Sequence, residues 1–314
     1  MGSKTSKNRT AARRLPNQAP AKGGALAASG SSKEPASVKA KVTVPPMTKA
    51  SLESYPIHGI HTTYLLKLAE EHPEWASKNI YTLVRELVKP QTNEKQSWVA
   101  KLGQDEATKQ FITPKADAFL SYAWKMSLTQ ILQALDGRSL FIWMDCFCLD
   151  QHIHQTISPE ELTGVFRMAL KEIGTVLVMG SPWKQPLVTT RIWCVLEQCV
   201  AAELDLKVEL VLSKDEVEDF RRALMATIDF AAFQSMFGAV NMTNAEAEVT
   251  ADRDTILLYL TEVGALKVND LTMLPWKAWM IKTVREFEFE EGAKETGYAS
   301  YSIGCLFHAL VSDR

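Results

Sequence analysis

Two carboxylates and a tryptophan lie where ligands commonly bind in α/β proteins. Trp193 and Glu197 are four residues apart in the segment 191–203, whose apolar pattern predicts a helix. Asp145 directly follows a buried apolar run, 140–144. Because ligands bind at the carboxyl ends of strands in open parallel sheets, two interpretations arise. These groups could bind and cleave a nucleotide, or they could only cap the fold.

Hydroxyl and indole groups follow another apolar run. Residues 116–122 end in Ser121 and Tyr122, and Trp124 comes two residues later. We expect these side chains to join Asp145 at one edge of the sheet, where they could contact a ligand. A structural role stays open for two of them. Ser121 could bond the backbone at the strand end, and Asp145 could accept backbone N–H groups of the next loop.

Strands and helices alternate between residues 115 and 213, which indicates an α/β domain with a parallel sheet. The run 175–179 has four apolar residues in five positions, as in a strand buried on both faces. We expect strands at 116–122, 140–144, 175–179 and 208–212, with helices near 126–136, 159–173 and 191–203.

The helix with the clearest end signals follows a long loop, 146–158. Ser158 is placed to cap it, Pro159 occupies its first position, and Glu161 would complete a capping box. Gly174 is placed to end it, as glycine commonly does at a helix C-terminus.

Composition divides the 314 residues into four segments. Residues 1–48 contain mostly Ala, Ser, Gly, Pro and Lys, so we expect a disordered tail that cannot bury enough apolar surface to fold. The pattern in residues 49–114 predicts a helical segment before the main domain, and residues 115–213 are expected to form the α/β domain. Residues 214–314 predict a mainly helical extension. The expected flanking helices lie near 61–88, 96–103, 214–227, 253–265 and 274–290.

Four motifs in residues 116–212 resemble those of the Toll/interleukin-receptor (TIR) superfamily and of the related fungal heterokaryon-incompatibility (HET) domains. They occur in the order of these families, each on the expected element. The motifs are Phe119-Leu120-Ser121-Tyr122 on the first strand, Trp143-Met144-Asp145 at the end of the second, Cys146-Phe147-Cys148-Leu149-Asp150-Gln151 after it, and Trp193-Cys194-Val195-Leu196-Glu197 on the last helix.

The resemblance implies a flavodoxin-like fold and an intracellular signalling role. Some TIR domains are adaptors that signal by self-association, whereas others cleave the nicotinamide–ribose bond of NAD. Carried over by position, the catalytic glutamate is Glu197 and its aromatic neighbour is Trp193. The loop 146–158 corresponds to the one that gates the pocket and mediates assembly. The expected partners are further copies of the chain or other TIR-like domains.

Cleavage of an N-ribosyl bond passes through an oxocarbenium-like transition state, which a fixed carboxylate stabilises. We expect Glu197 to be ionised, because its side chain can point toward the N-terminus of its helix. Trp193 could stack on a flat ring. The chain has neither a Walker loop nor a dinucleotide-binding glycine fingerprint, so NAD would not be held as it is in a Rossmann fold. NAD is expected as a possible substrate, and no cofactor is expected.

Cys146, Cys148, His152 and His154 are zinc-ligand types, but their spacing is not that of structural zinc sites. We therefore expect no metal there. The alternative is two small apolar residues at a strand end and two exposed loop histidines.

Charge is distributed unevenly along the chain. Residues 1–48 carry nine Lys or Arg and one Glu, a net charge of +8, so the rest carries −10 of the total of −2. An acidic folded part argues against general nucleic-acid binding. The odd number of cysteines, five, fits reduced thiols in an intracellular protein. No run of about 18 apolar residues is present, so no membrane-spanning helix is expected.

The N-terminal residues favour a location at a membrane surface. Met1-Gly2-Ser3-Lys4-Thr5-Ser6 fits the acceptor pattern for myristoylation at Gly2. One acyl chain binds membranes only marginally, and the basic residues at 4–14 would supply the second signal on anionic lipid. We expect a cytoplasmic protein with peripheral membrane attachment. A plain basic linker and a mitochondrial transit peptide are the alternatives, with the mitochondrion as second choice.

Overall fold

The computed structural model describes residues 55–152, 157–225 and 241–290. The predicted disordered tail, 1–48, lies outside the described residues, as do His154 and all residues after 290. The described residues belong to one compact unit.

A six-stranded mixed sheet forms the centre of the fold, in the order β2-β1-β4-β3-β5-β6. The strands β3 to β6 are parallel to one another, whereas β1 pairs antiparallel with both β2 and β4. The bounds are Gly59–His61 (β1), Ile112–Thr113 (β2), Ala118–Ser121 (β3), Phe141–Trp143 (β4), Thr175–Met179 (β5) and Lys207–Val211 (β6).

The four predicted strands are confirmed as parallel neighbours, although the first two are shorter than expected. The prediction of a wholly parallel sheet is wrong at one edge, because the segment 49–114 contributes two antiparallel strands. Strand β1 has three residues and β2 has two, which is too short for an alternation of apolar and polar residues to be recognised in the sequence.

Helices surround the sheet. Helices α8 and α9 contact each other and β3, while α9 also contacts α11 and α12. The bounds are Thr62–Glu71 (α1), Pro73–Ala76 (α2), Ile80–Leu83 (α3), Lys89–Gln91 (α4), Trp98–Leu102 (α5), Leu128–Ala134 (α6), Asp145–Cys148 (α7), Pro159–Ile173 (α8), Ile192–Glu203 (α9), Lys214–Met225 (α10), Thr250–Val263 (α11) and Ala265–Glu290 (α12). A π-helical turn, Val84–Val88, lies between α3 and α4.

Helix α8 begins and ends at the predicted residues. The Ser158 hydroxyl accepts a hydrogen bond from the Glu161 backbone N–H, and Gly174 closes the helix with φ +82°. The capping box is only half formed, because the carboxylate of Glu161 accepts a hydrogen bond from the hydroxyl of Tyr55. The complete box belongs to α6, where Ser127 and Gln130 bond reciprocally.

Aromatic packing joins the two central strands to α8. Phe119 of β3 and Trp143 of β4 are paired in register, and their rings stack with centroids 4.8 Å apart. The ring of Phe166 from α8 meets both rings edge-on. All four residues of β3 are buried, as expected for a strand covered on both faces. This packing holds the carboxyl ends of β3 and β4 together.

Candidate functional site

A cleft of about 240 Å³ lies at the carboxyl ends of β3 and β4 and beside the N-terminal half of α9. Of the six residues predicted for a site in the folded part, five line it: Tyr122, Trp124, Asp145, Trp193 and Glu197. The sixth residue, Ser121, and the predicted lipidation site, Gly2, remain. Ser121 is fully buried and does not line the cleft, so it is not placed to touch a ligand as predicted. Gly2 lies outside the described residues.

Asp145 organises the wall formed by the strand ends. Its carboxylate accepts hydrogen bonds from the hydroxyl of Tyr122 at 2.5 Å and from the indole Nε1 of Trp124 at 2.8 Å. It also accepts from the backbone N–H of Cys146 at 2.8 Å. These bonds fix Trp124 at the cleft surface. Burial and the Asp145 charge together hold the pKa of Tyr122 well above its usual value, so this hydroxyl stays protonated.

Helix α7 replaces part of the predicted loop after the second strand. The Gln151 side chain is buried, and its amide nitrogen donates to the backbone oxygens of Asp145 at 2.7 Å and Leu149 at 3.1 Å. Two backbone acceptors determine which end of the amide is nitrogen. Gln151 therefore ties the end of this segment back to Asp145, which gives the stretch from Cys146 to Gln151 a structural role.

Glu197 occupies a buried position beside the cleft. Only 5% of the residue is exposed, and its Oε2 atom has no hydrogen-bond partner among the described residues. Burial raises the pKa of Glu197 well above its usual value, and the negative charge of Asp145 adds to this. The neighbouring Ser121 hydroxyl acts in the opposite direction, although it is not aligned for a hydrogen bond in this structure. This direction runs against the expectation of an ionised Glu197, because burial favours the neutral form of a carboxyl group.

Two aromatic pairs contribute to the cleft walls. Trp193 stacks on Phe166 of α8 with ring centroids 5.1 Å apart and planes inclined by 30°. Trp124 meets Tyr81 edge-on at 5.2 Å. A flat ligand entering the cleft would therefore meet aromatic surface from four different segments of the chain.

Sequence reasoning missed the contributions from outside the α/β segment. Tyr81 comes from α3, Asp252 lies in the first turn of α11, and Glu248 and Val249 come directly before that helix. Arg191, the N-cap residue of α9, also lines the cleft and donates a hydrogen bond from Nη2 to the Tyr81 hydroxyl at 2.9 Å. No motif joins these positions, since they are as many as 171 residues apart in sequence.

The cysteines near the cleft are buried free thiols. Burial raises the pKa values of Cys146 and Cys148 above the usual range, so neither is a reactive thiolate. Both lie in α7 rather than on an extended strand. Within the described residues, no group of three or more His, Cys, Asp or Glu side chains is arranged to hold a metal ion.

In comparisons with known proteins, no family model matches the sequence, and no curated protein or solved structure matches the chain. Separately, none of the helices in the described parts of the chain combines the length and apolarity needed to cross a membrane.

Proposed function

We propose that this chain is a TIR-like and HET-like signalling domain whose cleft binds NAD and cleaves the nicotinamide–ribose bond, with Glu197 as the catalytic carboxylate. The observation that carries the proposal is the position of Glu197. A buried carboxyl group with one unpartnered oxygen borders an aromatic cleft at the carboxyl ends of parallel strands.

The raised pKa of Glu197 fits this chemistry once a substrate is bound. The nicotinamide ring of NAD carries a positive charge, which favours the ionised form of a nearby carboxyl group. As the ribosyl bond breaks, positive charge moves onto the ribose, where an ionised Glu197 would stabilise it. Trp193 and Trp124 provide flat surfaces for the base. Water would then attack the ribosyl carbon, giving ADP-ribose and nicotinamide.

The test is incubation of the purified full-length chain with NAD while nicotinamide release is measured by chromatography. We expect release by the wild type and a loss of about 100-fold or more in Glu197→Gln, the usual range for a charge-stabilising group. Glu209→Gln is a matched control, because Glu209 pairs with Arg138 and does not line the cleft. No release by the wild type, or equal rates in wild type and Glu197→Gln, would contradict the proposal.

A non-enzymatic adaptor that acts by self-association is the second candidate. Two observations favour this adaptor. Glu197 is buried, and the carboxylate of Asp145 is already engaged by Tyr122 and Trp124, as expected for side chains with a structural role. Light scattering across a concentration series separates the candidates when combined with the NAD assay. Concentration-dependent oligomers without nicotinamide release would support the adaptor.

We further propose that the chain is cytoplasmic and attached to anionic membranes through an acylated Gly2 and the basic residues at 4–14. Attachment would concentrate the domain and favour meetings between copies. Gly2→Ala should move the protein from the membrane fraction to the soluble fraction, with Ser3→Ala as control. Unchanged membrane association in Gly2→Ala would rule out acyl anchoring, and recovery with mitochondria would favour the transit-peptide alternative.

A further inference from the structure

Carboxyl groups outnumber cations around the cleft. Asp145, Glu197, Glu248 and Asp252 line it, and Arg191 is the one Lys or Arg among its lining residues in the described parts of the chain. This balance of charge favours the positively charged part of a ligand.

Arg191 is engaged with the cleft wall. Its Nη2 atom donates to the hydroxyl of Tyr81 at 2.9 Å. Burial and a hydrogen bond with Glu248 raise the pKa of Tyr81, so that hydroxyl links the guanidinium to an acidic group. The Tyr81 hydroxyl therefore connects Arg191 to Glu248 on this side of the cleft.

The walls offer aromatic rings to a cation. Trp124 is fixed by its bond to Asp145, and Trp193 is held against Phe166. The faces of Trp and Tyr rings attract cations, most strongly where water is excluded. Aromatic rings combined with carboxyl groups are a known arrangement for binding quaternary nitrogen.

Glu197 adds an independent indication of a ligand. It is more than nine-tenths buried at the cleft, and its Oε2 atom lacks a partner among the described residues. An unsatisfied buried carboxyl oxygen costs free energy, which a bound positive charge would offset.

We propose that the cleft is a recognition site for flat organic cations, such as pyridinium rings, whose charge is balanced by Glu197. This deepens the proposed function and rests on the same site, but it does not require that the bound cation be cleaved.

The expected pH dependence follows from competition between the ligand and the proton. Because burial raises the pKa of Glu197, its carboxyl group stays protonated over a pH range in which glutamate is normally ionised. Cation affinity should therefore rise with pH until that raised pKa is passed. The other titratable or charged groups around the cleft are Tyr81, Tyr122, Asp145, Arg191, Cys194, Glu248 and Asp252.

1-Methylnicotinamide, which is methylated on the ring nitrogen, and nicotinamide provide a matched pair of probes, since they share a planar ring and differ in permanent charge. Calorimetry with the full-length chain should show about tenfold or greater preference for the methylated cation, equivalent to about 1.4 kcal/mol. Repeating the titration in buffers with different ionisation enthalpies should show proton release below the raised pKa of Glu197. Equal binding of the two probes, or a cation affinity that is independent of pH, would overturn the inference.

Glu197→Gln should remove both the proton release and most of the preference for the cation, whereas Glu209→Gln should retain them. Circular dichroism checks that both variants are folded, and the wild-type buffer comparison tests the proposal without any variant. Neither probe contains a ribosyl bond, so the outcome is independent of catalysis. Cation preference without NAD cleavage would preserve this inference and reject the proposed enzyme. NAD cleavage without cation preference would support the proposed enzyme and overturn this inference.

Discussion

The indole Nε1 of Trp124 donates a hydrogen bond to Oδ2 of Asp145 over 2.8 Å, which connects the segment after β3 to the end of β4. The same carboxylate accepts from the buried hydroxyl of Tyr122 through Oδ1. Neighbouring parallel strands bring these residues together although about 20 positions separate them in the chain. The carboxylate thus holds two cleft side chains in fixed orientations.

Asp145→Ala should lower the free energy of unfolding by about 3 to 5 kcal/mol, because it leaves several donors without their acceptor. Asp145→Asn should cost less, since the amide oxygen can still accept from one of them. Urea unfolding followed by circular dichroism measures both values. Asp215→Ala serves as a control at an acidic position in the first turn of α10. A cost below about 1 kcal/mol for Asp145→Ala would show that the network contributes little.

Glu197→Gln should change how stability depends on pH. The folded-state pKa of Glu197 is raised above its usual value of 4.5, so the folded protein holds this proton more tightly than the unfolded chain. The corresponding stability is fully present below about pH 4.5 and is lost as pH rises through the raised pKa. Thermal unfolding across this range should show the wild type falling relative to the glutamine variant. Parallel curves would indicate that Glu197 is ionised in the folded state.

Trp193→Ala should lower the free energy of unfolding by about 2 to 3 kcal/mol, somewhat less than the loss of a fully buried tryptophan. The variant loses the stack on Phe166 and opens the cleft wall. Cation binding should weaken as well, which titration with 1-methylnicotinamide measures. Trp193→Phe should recover part of both losses, because it keeps an aromatic face. Unchanged cation affinity in Trp193→Ala would exclude this ring from the binding surface.

Gly59→Ala should lower the free energy of unfolding by about 1 to 3 kcal/mol through overpacking. An added Cβ would lie 2.9 Å from Cα of Ala116 and 2.9 Å from Cβ of Phe141, so strand β1 could not keep its distance from its neighbour β4. Gly103→Ala is the matched control. Its φ of −68° is helical and the nearest atom outside its chain neighbours is 3.4 Å away, so we expect less than about 0.5 kcal/mol of change. Equal unfolding midpoints for the two variants would contradict the tight contact.

The sequence by itself determined the four parallel strands and helix α8. Their signals are local: apolar runs for strands buried on both faces, Ser158 and Pro159 at a helix start, and Gly174 at its end. The positions of Tyr122, Trp124, Asp145, Trp193 and Glu197 around one cleft also followed, because parallel strands place their carboxyl ends along the same edge of a sheet.

Only the tertiary structure decided what surrounds those residues. Strands β1 and β2 depend on pairing between distant segments, and Tyr81 and Glu248 reach the cleft through packing that no periodicity encodes. The direction in which the pKa of Glu197 shifts was decided in the same way. A helix terminus can be located in the sequence, but the desolvation that outweighs it arises from the side chains packed around the carboxyl group.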